Sequence, residues 1–316
     1  MNNKIAVITG GAGVIGSFLA EHLIKLGHTV IIIDDLFSGR MDNLPDSNSI
    51  HFYKKDIRDK SIADIYKKYH PDILFHLAAR YANELSIKDP FSDLKVNTLG
   101  TLTQLELALK TKIKRFVYGS SSCVYLSSKD PVKEDYLLRP HTPYGISKLA
   151  GEYYCRFYSH HYGLKTTILR YFNSYGPRES TNIYRGVVPR FINDALNNFP
   201  IVITGTGKEK RDFTYVLDTV KGTVLAGFSK KGENETFNIG TGYSTTITEL
   251  ANTICSLAGS SSPIKYANLR SWDQTDIRTA NIKKMQNLLG FKPEYSLLDG
   301  LSITIDWYKN LQRKTL

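Results

Sequence analysis

The feature that most restricts the fold lies at the start of the chain. Ile5-Ala6-Val7-Ile8-Thr9 runs straight into Gly10-Gly11-Ala12-Gly13-Val14-Ile15-Gly16, and an amphipathic helical pattern follows over 14–26. A short β-branched run, a glycine turn and a helix in immediate succession form one half of a strand–helix–strand unit. The same alternation continues, with strands expected at 5–9, 30–34, 73–77, 115–120 and 166–171 and helices at 14–26, 62–69, 98–109 and 144–161. Strands that alternate with helices must run parallel, because each return crosses the sheet through a helix. The expected fold class is therefore α/β, a doubly wound parallel sheet. Beyond Asn173 the order gives way to shorter elements punctuated by Pro177, Arg178, Gly186, Pro189, Arg190 and Gly205. That change places a large domain at 1–173 and a smaller C-terminal substrate lobe at 174–316, interleaved with late strands of the sheet.

Charge narrows the partners. Lysine and arginine outnumber the acids by 41 to 30, giving a net charge of +11 over 316 residues. The bases are dispersed, which suits a pocket for a small polyanion and argues against a nucleic-acid-binding stripe. No apolar run approaches the roughly 18 residues of a membrane span, and the apolar start is too short for a signal peptide. Cys123, Cys155 and Cys255 have neither disulfide nor metal spacing, so a reducing cytoplasm and no metal are expected.

The glycine loop contains G-x-G-x-x-G and the wider set Gly10, Gly13 and Gly16. Glycines there let backbone amides at the start of a helix, including those of Val14 and Ile15, approach a pyrophosphate. Asp34 ends the second strand 18 residues after Gly16, where a carboxylate can accept hydrogen bonds from the adenosine ribose. With Asp35 beside it, Asp34 would repel a 2′-phosphate, so the expected cofactor is NAD and the large domain is of the Rossmann type; Arg40, close in sequence, weakens the preference a little. Asp56, followed by Ile57, ends a third strand and can meet the adenine; the alternative for Asp56 is a cap on the helix near Ile62.

Tyr144 and Lys148 stand four apart at the start of a helix, on one face. Oxidising an alcohol needs a base for the hydroxyl proton, and a free phenol with a pKa of about 10 is a poor one at neutral pH. A nearby ammonium and a positive nicotinamide favour the phenolate. Tyr125 and Lys129 share the spacing but lie in the loop-like Ser127-Ser128-Lys129-Asp130-Pro131, which makes them a decoy. A hydroxyl from Ser120, Ser121 or Ser122 can hold the substrate oxygen, or serve only as a cap.

The glycine loop, Asp34, Leu77-Ala78-Ala79, Asn97, Ser120-Ser121-Ser122-Cys123-Val124-Tyr125, the Tyr144/Lys148 pair and Arg170-Tyr171-Phe172-Asn173 follow one another over nearly the whole chain. This set resembles the extended short-chain dehydrogenases of the NAD-dependent epimerase/dehydratase family, especially the UDP-galactose and UDP-glucuronate 4-epimerase branch. The resemblance implies tightly held NAD, a nucleotide-sugar lobe and a homodimer packed through helices. By position it implies cofactor contacts at Leu77, Ala78, Ala79, Asn97 and Tyr171, and a catalytic set of Ser121, Tyr144 and Lys148. On the substrate side it implies Ser122, Asn173, Val187 and Val188, then Arg211, Arg270 and Asp273 of Arg270-Ser271-Trp272-Asp273, with Arg278 a second candidate to Arg270.

The departures also speak. Dehydratases of the family carry an acidic pair where this chain has Ser122 and Cys123, and its decarboxylases carry a glutamate at the second position. Leu126 replaces a glycine, and Arg80 stands where a neutral residue is common. Epimerisation at the sugar C4 is the expected reaction, with a reductase, dehydratase or decarboxylase of the same family, or a non-catalytic NAD- and nucleotide-sugar-binding protein, as alternatives. Ser121 and Ser122, together with Arg178, Arg185 and Arg190, favour testing a glucuronate first.

Overall fold

A computed structural model describes residues 4–180, 186–270, 272–273 and 276–315. Seven strands form the central sheet: β1 (Ile5–Thr9), β2 (Thr29–Asp34), β3 (Ile50–Lys54), β4 (Ile73–His76), β5 (Arg115–Ser121), β6 (Lys165–Tyr171) and a late strand, Glu235–Ile239. All are parallel, and the late strand lies beyond β6, followed across the sheet by β5, β4, β1, β2 and β3. The chain order therefore reverses between β4 and β1, and ligands of such sheets bind in the crevice at that switch. β1 is buried from Ala6 to Thr9, with Ala6, Val7 and Ile8 at 0% exposure, because apolar layers cover both faces of the sheet.

Local chemistry sets the two helices that matter most. Helix α1 (Val14–Lys25) begins at Gly13, which has no side chain to cap it, and its first turn holds no acid. The helix Pro143–Tyr162 has Thr142 as N-cap, accepting from the Gly145 amide, a proline in its first turn and left-handed Gly163 at its end. Where one helix was expected at 98–109, the chain makes a π-helical stretch, Leu94–Gly100, and then an α-helix, Thr101–Lys110. Two short helices the sequence did not announce, Asn83–Lys88 and Pro90–Asp93, precede it.

Beneath the sheet surface Glu152 and Arg170 form an ion pair with both side chains at 0% exposure. Arg170 grips both carboxylate oxygens, at 2.8 and 2.7 Å, and also donates to the Tyr125 hydroxyl and the Glu134 carbonyl. Ser120 donates to the same carboxylate. Helix Pro143–Tyr162 is thus locked to β5 and β6.

The lobe has its own apolar centre, in which Val188, Phe191 and Ile192 of helix Val187–Leu196 meet Leu250 and Ile254 of Ile247–Ala258 and Leu301 of Leu297–Thr315. Between the lobe's segments the chain returns to the sheet as the strand Glu235–Ile239. Among the described residues no helix is long and apolar enough to cross a membrane.

Candidate active site

One cleft runs over the C-terminal ends of the sheet strands and into the lobe. At its floor the chain turns at Gly10, whose φ of 71° suits glycine. A Cβ at Gly16 would stand 2.3 Å from the Gly10 carbonyl oxygen, and one at Gly10 would stand 2.7 Å from the Ala78 nitrogen. Only glycine permits this close approach, which brings the uncapped start of α1, with Gly13, Val14, Ile15 and Gly16, onto the cleft wall. A helix start without cap or acid is a place for an anionic group, and a pyrophosphate fits it.

Asp34 sits at the end of β2, its two oxygens accepting from the Ala12 and Leu36 amides at 3.0 and 2.8 Å. Burial pushes its carboxyl above the usual carboxylate value, against the pull of those amides. Asp56 is chelated by Arg58, which holds its carboxyl below the usual value. Asp34, Asp56, Ile57 and Tyr171 line the cleft, as do Leu77, Ala78 and Ala79. Asn97 does not. Its amide accepts from the Arg80 N–H at 2.7 Å and donates to the Arg80 carbonyl and the Asp93 carboxylate, so it holds the loop after β4 from behind. Asn97, expected to contact the cofactor, braces this loop from the π-helical turn whose preceding residue, Val96, lines the cleft.

Tyr144 and Lys148 share the cleft with Ser121. The Lys148 Nζ donates to the Gly119 carbonyl at 2.8 Å and stands 5.9 Å from the Tyr144 ring centre. The Ser121 hydroxyl lies near the Tyr144 phenol and opposes the rise of its pKa, while its Oγ accepts from the Cys123 amide. Burial brings the Lys148 ammonium down to about 8, partly opposed by the Asp93 carboxylate. Burial also raises the Tyr144 phenol well above its ordinary value, and the Cys123 and Tyr81 side chains push the same way. The lysine alone therefore does not supply the lowered phenol that the sequence suggested. Tyr125, the decoy, donates to Asn238 and accepts from Arg170 inside the protein. Ser120, Ser121 and Ser122 all line the cleft, but the Ser120 hydroxyl is committed to Glu152.

The lobe wall is cationic. Arg211 and Arg278 occupy paired positions on two parallel two-residue strands, Lys210–Arg211 and Ile277–Arg278. Burial, then the neighbouring Arg278, lowers the Arg211 guanidinium. Two cations side by side are stabilised by an anion between them, and Arg190 and Arg270 line the same cleft. Asp273 pairs with Arg211 at 3.6 Å. Asn173 adopts φ 29°, an uncommon angle that asparagine tolerates, and donates to the Asp212 carbonyl at 3.0 Å. Val187 lines the cleft, whereas the Val188 side chain packs in the lobe core.

Arg178, expected to add potential, is held on α1 by Glu21 at 2.7 Å and over the Phe18 ring, away from the cleft. Arg185 and Ser271 lie outside the described residues. Sequence reasoning missed Tyr81, whose ring meets Tyr144 edge-on at 5.9 Å, and Asp93, which faces Lys148. A signal for each was present: Tyr81 follows the alanine pair by two positions, and Asp93 precedes Asn97 by one helical turn. Among the described residues no cluster of histidine, cysteine, aspartate or glutamate could hold a metal ion.

The family model of the NAD dependent epimerase/dehydratase family matches residues 6–240. A putative UDP-glucose 4-epimerase of Methanocaldococcus jannaschii is 35% identical over 309 residues, covering 97% of this chain and 99% of the relative. Among solved structures, an epimerase from Methanothermobacter thermautotrophicus superposes with a TM-score of 0.95 at 39% identity, covering 99% of this chain and 95% of the other. The UDP-glucose 4-epimerase of Thermotoga maritima, solved with UDP-glucose, gives 0.93 at 35% identity, with 98% and 99% covered.

Proposed function

From the premise that this chain belongs to the NAD-dependent epimerase/dehydratase family, we propose that it inverts C4 of a nucleotide-linked sugar, UDP being the nucleotide. The observation that carries the reading is the continuity of one cleft: the dinucleotide cradle, the Tyr144–Ser121 contact and the arginine wall all open into it. NAD, when bound, supplies the hydride acceptor and donor and a positive charge near Tyr144. Tyr144 takes the proton of the sugar 4-hydroxyl and later returns it, Ser121 positions that oxygen, and Lys148 adds positive charge at the phenol. Arg211, Arg278 and Arg270 hold the diphosphate, leaving the 4-keto sugar free to turn over before re-reduction on its other face. Ser122 and Cys123 offer no carboxylate for the proton transfers of water elimination, which favours epimerisation over dehydration.

Following sugar configuration by NMR with UDP-glucuronate, UDP-glucose and UDP-N-acetylglucosamine checks the reaction. We expect an equilibrium mixture of C4 epimers without added nicotinamide, and turnover of the glucuronate first, since the hydroxyls of Ser121 and Ser122 and the charge of Arg190 suit its carboxylate. A keto-deoxy sugar, a pentose product or a need for stoichiometric NADH would overturn the reading.

The chain also pairs with a second copy through helices. Exposed apolar side chains gather on the segments 90–110 and 143–162: Phe91 at 72%, Leu94 at 54%, Leu99 at 50%, Ile146 at 56%, Tyr153 at 59% and Phe157 at 51%. Such a face on two neighbouring helices is an interface in the making. Sedimentation should give twice the 35.7 kDa chain mass, and Tyr153→Glu with Phe157→Glu should return one chain. A monomeric wild type removes the pairing. Three free cysteines suit a cytoplasmic setting.

A further inference from the structure

Arg80 leaves the loop after β4 and reaches Asp35, in the loop after β2, at 2.9 Å. Its guanidinium also lies over the Phe37 ring, 3.6 Å from the centre. In the sheet, β4 and β2 flank β1 on opposite sides. The contact therefore joins the loops on either side of the end of β1, and Asp35 and Arg80 line the same cleft as the glycine loop. Neither side chain is fully exposed, at 19% for Arg80 and 34% for Asp35.

We infer that Arg80, Asp35 and Phe37 form a clasp that closes over the dinucleotide and sets how long it stays bound. This rests on the NAD cradle described above. A cofactor lying along that cradle passes beneath the bridge, and its departure requires the two loops to separate. Separation breaks an ion pair and a cation–π contact together, so their energy adds to the barrier for release. The backbone at each end is fixed independently. Asn97 brackets the Arg80 N–H and carbonyl, and Asp35 Oδ1 accepts from the Phe37 amide, a bond that asparagine can also make. Arg80→Gln thus removes both contacts and Asp35→Asn the ion pair alone, and each leaves both loops in place. A resident cofactor matters to a reaction that returns its hydride in every cycle, because the reduced form must not escape before the sugar is re-reduced.

The test is exchange of bound NAD against isotopically labelled NAD in the purified holoenzyme. Arg80→Gln should release NAD about tenfold faster, which corresponds to about 1.4 kcal/mol, Asp35→Asn, which keeps the Phe37 contact, should release it faster than wild type but less so, and the double variant should be no faster than Arg80→Gln. Rising salt should speed release from the wild type and leave the double variant nearly unaffected. The melting temperature of the cofactor-stripped protein should be the same in all four proteins, which a merely structural role would not allow. The clasp is overturned if Asp35→Asn exchanges at the wild-type rate while Arg80→Gln is fast, since Arg80 would then bind the cofactor itself, or if neither variant changes release. Acid extraction that yields no dinucleotide from the wild type would instead sink the cofactor assignment, and the clasp with it.

Discussion

Tyr144→Phe should lower kcat by about 10²- to 10⁴-fold, the range expected when a positioned acid–base is removed, while the purified protein keeps its NAD. The phenol oxygen is the proton acceptor in the proposed reaction, and phenylalanine fills the same volume against Tyr81 without it. The glycine loop, Asp34 and Lys148 are untouched, so acid extraction should still yield dinucleotide in the wild-type amount. A loss of less than tenfold with UDP-sugar in excess would show that another group carries the proton. Ser121→Ala makes a useful companion. It removes the hydroxyl that lies near the Tyr144 phenol and should reduce turnover less, because the base itself remains.

The second large effect concerns folding. Arg170→Met should destabilise the protein by about 3–5 kcal/mol, because it leaves the Glu152 carboxylate charged in the interior without its main partner. Arg156 also reaches Glu152, at 3.1 Å, but its side chain is 40% exposed and it cannot replace the two-pronged grip of Arg170. The Tyr125 hydroxyl and the Glu134 carbonyl lose a donor at the same time. Glu152→Gln should be milder, since its amide oxygen still accepts from Ser120 or Arg170. Replacing both members by leucine should cost much less than Arg170→Met, because no lone charge remains inside. Urea unfolding of the stripped proteins measures all three, and a double variant as unstable as Arg170→Met would contradict the account.

The parts of this molecule that could be read from the sequence are those determined by local pattern. Buried β-branched runs such as Val30-Ile31-Ile32-Ile33 in β2 have no alternative as short elements between turns, and the glycine loop needs its residue types where the backbone closes on Ala78. Tyr144 and Lys148 share a face because one helical turn separates them. What escaped depends on partners far along the chain. Arg178 looked like a ligand for an anion, yet its carboxylate, Glu21, lies 157 positions earlier. Val187 and Val188 differ by about 100° around a helix, enough to send one to the cleft and the other to the core. The pairing of Arg211 with Arg278 arises between strands of two residues, too short to leave any periodic trace. The π-helical turn at Leu94–Gly100 hides within an ordinary helical pattern, although it is what aims Asn97 at the Arg80 backbone.

The late return of Glu235–Ile239 to the edge of the sheet governs how such a protein can be altered over time. A chain cut after Asn173 would leave β6 as a bare edge and would lose helix Val216–Phe228, which supplies Val220 and Val224 to one apolar layer of the sheet. The segments after Asn173 are therefore no cassette that can be exchanged by joining a new tail to residues 4–173. Recombination at a single crossover breaks the sheet, and only an exchange with two junctions, or substitution one residue at a time, preserves it. New sugar preferences in this architecture must consequently arise within a lobe that is inherited whole together with the sheet it is threaded through.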